Sequence, residues 1–124
     1  MARAERFVSG KNASLIWQGS DKARKNLANE ALRELKKKSM IHDFLSTGDL
    51  NVINLLRGID FYVVYIDGRK HRAFPLSIRG RQYVDICQKR HPKNAVIGVD
   101  LYESRESIKS KILREIELKK ALSH

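Results

Sequence analysis

The chain predicts an α/β domain: a mixed central sheet flanked by helices, in the order helix, strand, strand, strand, helix, strand, helix. Three observations carry this. Residues 58–79 read as two strands joined by a tight turn at Asp67-Gly68. The stretches at 20–38 and 104–116 place apolar residues at helical spacing. A further apolar run, Ala95 to Tyr102, lies before the last of these. At 124 residues the chain holds a single core, expected over 20–124 behind an N-terminal arm at 1–19.

Within the arm, Leu15, Ile16 and Trp17 form an apolar anchor. Ser20 is a plausible N-cap and Asp21 suits a first helical turn. Leu27, Ala28, Ala31, Leu32 and Leu35 then mark the buried face, and Lys36-Lys37-Lys38 ends the helix where cations complement its dipole. Residues 40–47 predict the first strand, and Gly48-Asp49 a turn. Residues 50–57 fit a short helix, a strand or an irregular connection equally well.

The strand at 59–66 is nearly all apolar, as expected of a central strand covered on both faces. Asp67-Gly68 favours a primed hairpin turn, because both residues tolerate positive φ. In the next strand, 71–79, Phe74, Leu76 and Ile78 face one way and Ala73, Pro75, Ser77 and Arg79 the other. Pro75 has no N–H to give a ladder, so this strand should lack a neighbour there. A short helix over 81–90 turns Tyr83, Val84, Ile86 and Cys87 inward and stops at His91-Pro92. The last strand covers 95–102. Ser104 caps a final helix that buries Ile108, Ile112, Leu113 and Ile116.

The net charge of +11 lies in the flanks: +6 over residues 1–40, +1 over 41–80 and +4 over 81–124. A basic surface attracts polyanions, and nucleic acid, DNA or RNA, is the expected partner. Arg69, Lys70, Arg72, Arg79, Arg81 and Lys89 are the candidate phosphate contacts. No apolar run reaches the roughly 18 residues that cross a bilayer, so no membrane partner is expected. The basic N-terminus lacks the apolar core of a secretory signal. Cys87 is the only cysteine, so no internal disulfide forms, which suits a reducing cytoplasm. P-loop, nucleophile-elbow and dinucleotide fingerprints are absent.

Asp60 opens the first hairpin strand, and Ser77 and Arg79 close the second on one face. If the hairpin register brings these ends together, Asp60 meets the Ser-x-Arg pair. That order of elements, with Gly58-Ile59-Asp60 followed by Pro75-Leu76-Ser77-Ile78-Arg79, resembles the PD-(D/E)XK nuclease superfamily, the restriction-endonuclease-like fold, over about residues 20–103. The resemblance implies that Asp60 binds a divalent metal and that Glu30 is the assisting acid of the first helix. It puts Ser77 in the position of a second acid and Arg79 in that of a lysine. Both departures matter. A neutral hydroxyl is a poor ligand for Mg²⁺, which wants oxygen donors in a near-octahedral set. A guanidinium stays protonated and holds phosphate rather than accepting a proton. Gln82, Asp85 and Lys89 are the candidates for recruited replacements.

The bland readings are a strand-start carboxylate for Asp60, a solvent-facing pair for Ser77 and Arg79, and an exposed position for Glu30. The histidines 42, 71, 91 and 124 show no metal-binding spacing, and Cys87 with His91 gives two ligands where a structural zinc needs four. Phe61, Tyr62, Tyr65 and Phe74 fit either base stacking or core packing. Three functions therefore stay open: a nucleic-acid-binding protein with a degraded metal centre, which needs no cofactor; an endonuclease that uses Mg²⁺ or Mn²⁺ through migrated ligands; and a small basic interaction subunit. A homodimer is compatible with each.

Overall fold

Ala28, Ala31, Leu32 and Leu35 recur three or four positions apart, and all four are fully buried. They lie on the first described helix, α1 (Gly10–Lys37). After it come β1 (Asp43–Ser46), β2 (Phe61–Asp67), β3 (Lys70–Arg79), a 3-10 turn (Arg81–Tyr83), α2 (Val84–Arg90), β4 (Ala95–Gly98) and α3 (Arg105–Ser123). The computed structural model describes residues 10–47 and 57–123. The ambiguous segment 50–57 therefore lies outside the described residues except for Arg57, as do residues 1–9 of the expected arm.

Among the described residues four strands form one mixed sheet in the order β1-β2-β3-β4. β1, β2 and β3 make an antiparallel meander, and α2 carries the chain over to β4, which pairs parallel with β3. Among the described residues the elements follow the order the sequence predicts. Phe61, Val63 and Tyr65 of β2 and Phe74, Leu76 and Ile78 of β3 form one core with the buried faces of α1 and α3. On α3 that face is Ile108, Ile112 and Ile116, with Leu113 packed at its margin. Glu34 of α1 joins the two helices by accepting from Arg105 at 2.6 Å and from the buried Lys109 at 2.9 Å. Ser104 caps α3 by accepting from the Ser107 N–H at 3.1 Å.

Several expectations need correction. α1 begins at Gly10 and runs through Ser20, so Ser20 is not a cap and the second half of the expected arm is helix. A cap signal only favours a start. Ser and Gly inside a helix cost no more than about 1 kcal/mol each, and extending an existing helix avoids a second nucleation. The first strand is shorter than 40–47. α1 closes instead on Ser39, at φ 61°, with Ser39 N–H donating to Lys36 O and Met40 N–H donating to Leu35 O. That is the Schellman pattern, and it consumes Met40 and Ile41. The last strand ends at Gly98, since the chain turns at Asp100–Glu103.

The hairpin turn is shifted by one residue. Asp67 pairs with Lys70, so the loop is Gly68-Arg69, with positive φ at Gly68 alone. This is the type II′ pattern, which needs glycine only at the first loop position. β2 is not covered on both faces: among the described residues its burial alternates, with Ile66 exposed and Tyr62 and Val64 half-buried. β4 joins β3 only from Leu76 onward, so Pro75 sits just before the doubly paired stretch, as a proline requires. Of the residues expected inward on α2, Cys87 is buried, Tyr83 and Val84 are half-buried and Ile86 is exposed. No helix among the described residues is long and apolar enough to cross a membrane.

Candidate functional site

The ends of β2 and β3 meet where the register of the hairpin breaks. Phe61 pairs with Leu76, yet the Asp60 N–H also donates to Leu76 O, at 2.9 Å. Two successive residues thus oppose one, as in a bulge, and a bulge re-aims a side chain. Asp60 is 2 % exposed. Its Oδ2 accepts from the Ile78 N–H at 2.7 Å and from Arg79 Nη1 at 2.8 Å. Its Oδ1 lies 3.1 Å from Lys25 Nζ, on α1. The expected pairing of Asp60 with Arg79 is therefore present, and a second cation that the sequence reading missed completes it.

Lys25 is itself shared. Its ammonium lies 2.8 Å from Asp21, one helical turn earlier. Burial alone would lower its pKa, but hydrogen bonding and charge from Asp21 and Asp60 together outweigh that and hold it above its ordinary value. Two carboxylates and two cations balance around Asp60, which is how a buried charge is tolerated.

Ser77 is fully buried and has a different task from the one the sequence resemblance implies. Its hydroxyl donates to the Gly58 carbonyl and accepts from Asn94 Nδ2 at 3.3 Å. Asn94 Nδ2 also donates to Arg57 O at 2.8 Å, and Arg79 Nη2 donates to Gly58 O at 3.2 Å. On the other side the Thr47 hydroxyl donates to Ile59 O. Residues 57–60 are thereby pinned by side chains from β3, from the turn before β4 and from the end of β1. The solvent-facing reading of Ser77 and Arg79 is wrong for Ser77, and Arg79 is only partly exposed.

The donor set does not fit a divalent metal. Mg²⁺ takes six oxygens in near-octahedral array, whereas both Asp60 oxygens already meet cations or an N–H. Glu30 is exposed and lies 3.8 Å from Arg105 at the start of α3. Gln82, Asp85 and Lys89 are all exposed. Among the described residues no three His, Cys, Asp or Glu side chains are grouped to hold a metal ion.

The expected phosphate contacts separate into two places. Arg69, Lys70 and Arg72 sit at the hairpin end, where Arg72 lies 3.3 Å from Asp67. Arg79 ends β3, about 30 Å from Lys70 at the usual rise per strand residue, with Arg81 just beyond it and Lys89 on α2. Arg81 pairs with Asp100 at 2.8 Å. Beside Arg79 lies a cleft of about 430 Å³ lined by Asp21, Arg24, Arg90, His91, Tyr83, Ile86 and Cys87. Arg24 reaches it from α1, with its Nε fixed by donation to Val99 O at 3.0 Å. Two glycines let these groups converge. A Cβ at Gly58 (φ +64°) would stand 2.8 Å from His91 Nε2, and one at Gly80 would stand 3.2 Å from an Arg24 terminal nitrogen. Lys25, Arg24, Arg90 and Asn94 were not singled out from the sequence. The one local signal was the four-residue spacing of Asp21 and Lys25, which marks an ion pair on a helix.

No protein-family model, curated protein or solved structure matches the chain.

Proposed function

We propose that this protein binds nucleic acid on a nuclease-like scaffold whose metal centre is replaced by the Lys25–Asp60–Arg79 ion group. The observation that carries this reading is the occupation of both Asp60 oxygens, Oδ1 by Lys25 and Oδ2 by Arg79 and the Ile78 N–H, beside a cleft lined by further cations. Two things support the reading: among the described residues the chain runs helix, antiparallel meander, helix and parallel strand, and by the resemblance drawn from the sequence Asp60 would stand for a metal ligand and Arg79 for a lysine. Here two side-chain cations supply the positive charge that a metal ion would bring. They balance the buried carboxylate but carry no water to activate, so the scaffold keeps its shape without the means of hydrolysis. The flanking charge remains available to phosphates.

The test measures binding and cleavage together on the full chain. Labelled DNA and RNA oligonucleotides are titrated by fluorescence anisotropy over a salt series, and the same substrates are incubated with Mg²⁺ or Mn²⁺. Log affinity should fall linearly with log salt, with no cleavage. Binding that is absent at low salt, or indifferent to salt, overturns the nucleic-acid reading. Efficient metal-dependent cleavage overturns the claim of a replaced centre.

A further inference from the structure

Arg90 and His91, at the C-terminal end of α2, also line a second cleft, of about 500 Å³. Asp21 lines the first cleft, whereas the described lining of the second holds no carboxylate. It holds three cations, Arg57, Arg90 and Lys93. All three are exposed, and among the described residues none makes an ion pair with a carboxylate. A cleft lined by one sign of charge focuses its field on a counter-ion, so this one suits an anion of more than one charge.

One buried side chain gathers the segments that carry these cations. The Asn94 N–H donates to His91 O at 3.1 Å and closes a turn with Pro92 and Lys93 at its corner. Asn94 Nδ2 donates to Arg57 O at 2.8 Å, which ties that turn to the approach to β2. His91 reaches the same place, since a Cβ on Gly58, the residue after Arg57, would stand 2.8 Å from its Nε2. Both side-chain bonds of Asn94 use Nδ2, so among the described residues its Oδ1 is left as an acceptor. The rest of the wall is apolar. Tyr62 and Pro75 are cross-strand partners and lie side by side on the sheet face turned away from the core. Phe61, Tyr65 and Phe74 are buried in that core, while Tyr62 is half-buried and lines the cleft.

We infer that this cleft binds one nucleoside phosphate, with its phosphate on Arg57, Arg90 and Lys93 and its base against Tyr62 and Pro75. A phosphate monoester supplies the multiple charge, and guanidinium groups hold it bidentately. A base is planar, and its π-face stacks on an aromatic ring whatever its identity. With no carboxylate to receive an ammonium, the described wall disfavours amines and zwitterions. The volume falls in the range of small-ligand sites. A free nucleotide and the terminal nucleotide of a strand share this chemistry. The inference goes beyond the nucleic-acid reading above, because it assigns a nucleotide site that the Lys25–Asp60–Arg79 group does not line.

The experiment is isothermal titration calorimetry of the full chain with adenosine monophosphate, adenosine and inorganic phosphate, on wild type and the variants Tyr62→Ala, Tyr62→Phe and Arg90→Gln. Far-ultraviolet circular dichroism establishes that each variant is folded. The monophosphate should bind about ten-fold or more tighter than either of its parts. Tyr62→Ala should weaken it by about ten-fold, and Tyr62→Phe should bind as wild type does. Arg90→Gln should weaken it and flatten its salt dependence. Absence of monophosphate binding overturns the inference, as does binding that inorganic phosphate matches or that ignores Tyr62. A labelled single-stranded oligonucleotide separates the two sources. Its displacement by the monophosphate supports a strand's nucleotide in this cleft, and binding of both at once supports a free nucleotide. Oligonucleotide binding with no monophosphate binding leaves the nucleic-acid reading standing and overturns this site. Monophosphate binding with no oligonucleotide binding does the reverse.

Discussion

Lys25 Nζ and Asp60 Oδ1 lie 3.1 Å apart, and this contact ties the first helix to the start of β2. With Arg79 on the other carboxylate oxygen it decides both the stability of the site and its chemistry. Asp60→Ala would leave two cations facing each other and the Ile78 N–H without its acceptor. Removing one partner of a buried ion pair costs about 3–5 kcal/mol. Lys25 and Arg79 keep some access to water, with side chains 26 % and 24 % exposed, so relaxation should hold the loss near 3 kcal/mol. Asp60→Asn keeps an acceptor for Ile78 and should fall between the two. Urea unfolding of the three proteins gives the order; an Ala variant within about 0.5 kcal/mol of wild type would show that the ion group contributes nothing.

Ser39 offers a test that is independent of function. It holds φ 61° at the end of α1, where a Cβ is unfavourable and glycine is the usual residue. Ser39→Gly should raise stability by about 0.5–1 kcal/mol, the relief of backbone strain being partly offset by the greater freedom of glycine in the unfolded chain. A lower denaturation midpoint for this variant would mean that the Ser39 side chain supports the cap.

The fold was more legible than the site, for a physical reason. Strand parity and a glycine turn are local, so Phe74, Leu76 and Ile78 could be assigned to one face and Asp60 could be brought to Arg79 from residues 60–79 alone. Even there a one-residue shift passed unseen: the loop is Gly68-Arg69, and the bulge at Asp60 turns its carboxylate toward α1. Lys25 was out of reach because its role depends on the rotation and height of α1 against the sheet, which packing sets and local spacing does not. Ser77 shows the same limit. Its parity was read correctly, but its burial depends on Asn94 and Gly58, which arrive from other parts of the chain.

Acid should weaken the fold through three carboxylates. Hydrogen bonding from Lys109, helped by the charge of Arg105, holds Glu34 below its ordinary value of 4.5. Hydrogen bonds from Lys36 and the Phe44 N–H lower Asp43. Burial pushes Glu103 up, but bonds from Lys111, the Asp100 N–H and Ser107 outweigh it and lower it too. A carboxylate depressed on folding contributes stability that is present above its unfolded pKa and lost as pH falls through its folded one. Glu115 opposes them: burial raises it, so its contribution is present below its unfolded value and lost as pH rises. Three against one, the urea midpoint should hold from about pH 7 to 5 and drop below about pH 4, and Glu34→Gln should make that drop shallower. A midpoint that rises on acidification would contradict these assignments.

The last prediction concerns how a metal site would be rebuilt. Exchanging Ser77 for Glu with Arg79 for Lys restores the family pattern on paper but not in space. Ser77 is fully buried between the Gly58 carbonyl and Asn94, and a longer charged side chain there has no room and no partner. Lys25 would also still stand on Asp60. That double variant should lose stability and gain no affinity for Mn²⁺. Lys25→Glu acts on the contact that excludes the metal: it sets a carboxylate beside Asp60 and removes the competing cation. Two facing carboxylates repel unless a cation lies between them. The variant should therefore melt below wild type in chelator and recover with millimolar Mn²⁺, because a ligand that binds only the folded state stabilises it by mass action. Wild type should melt at the same temperature with and without Mn²⁺. A clear Mn²⁺-dependent rise in wild type would show that Asp60 accepts a metal despite Lys25 and Arg79.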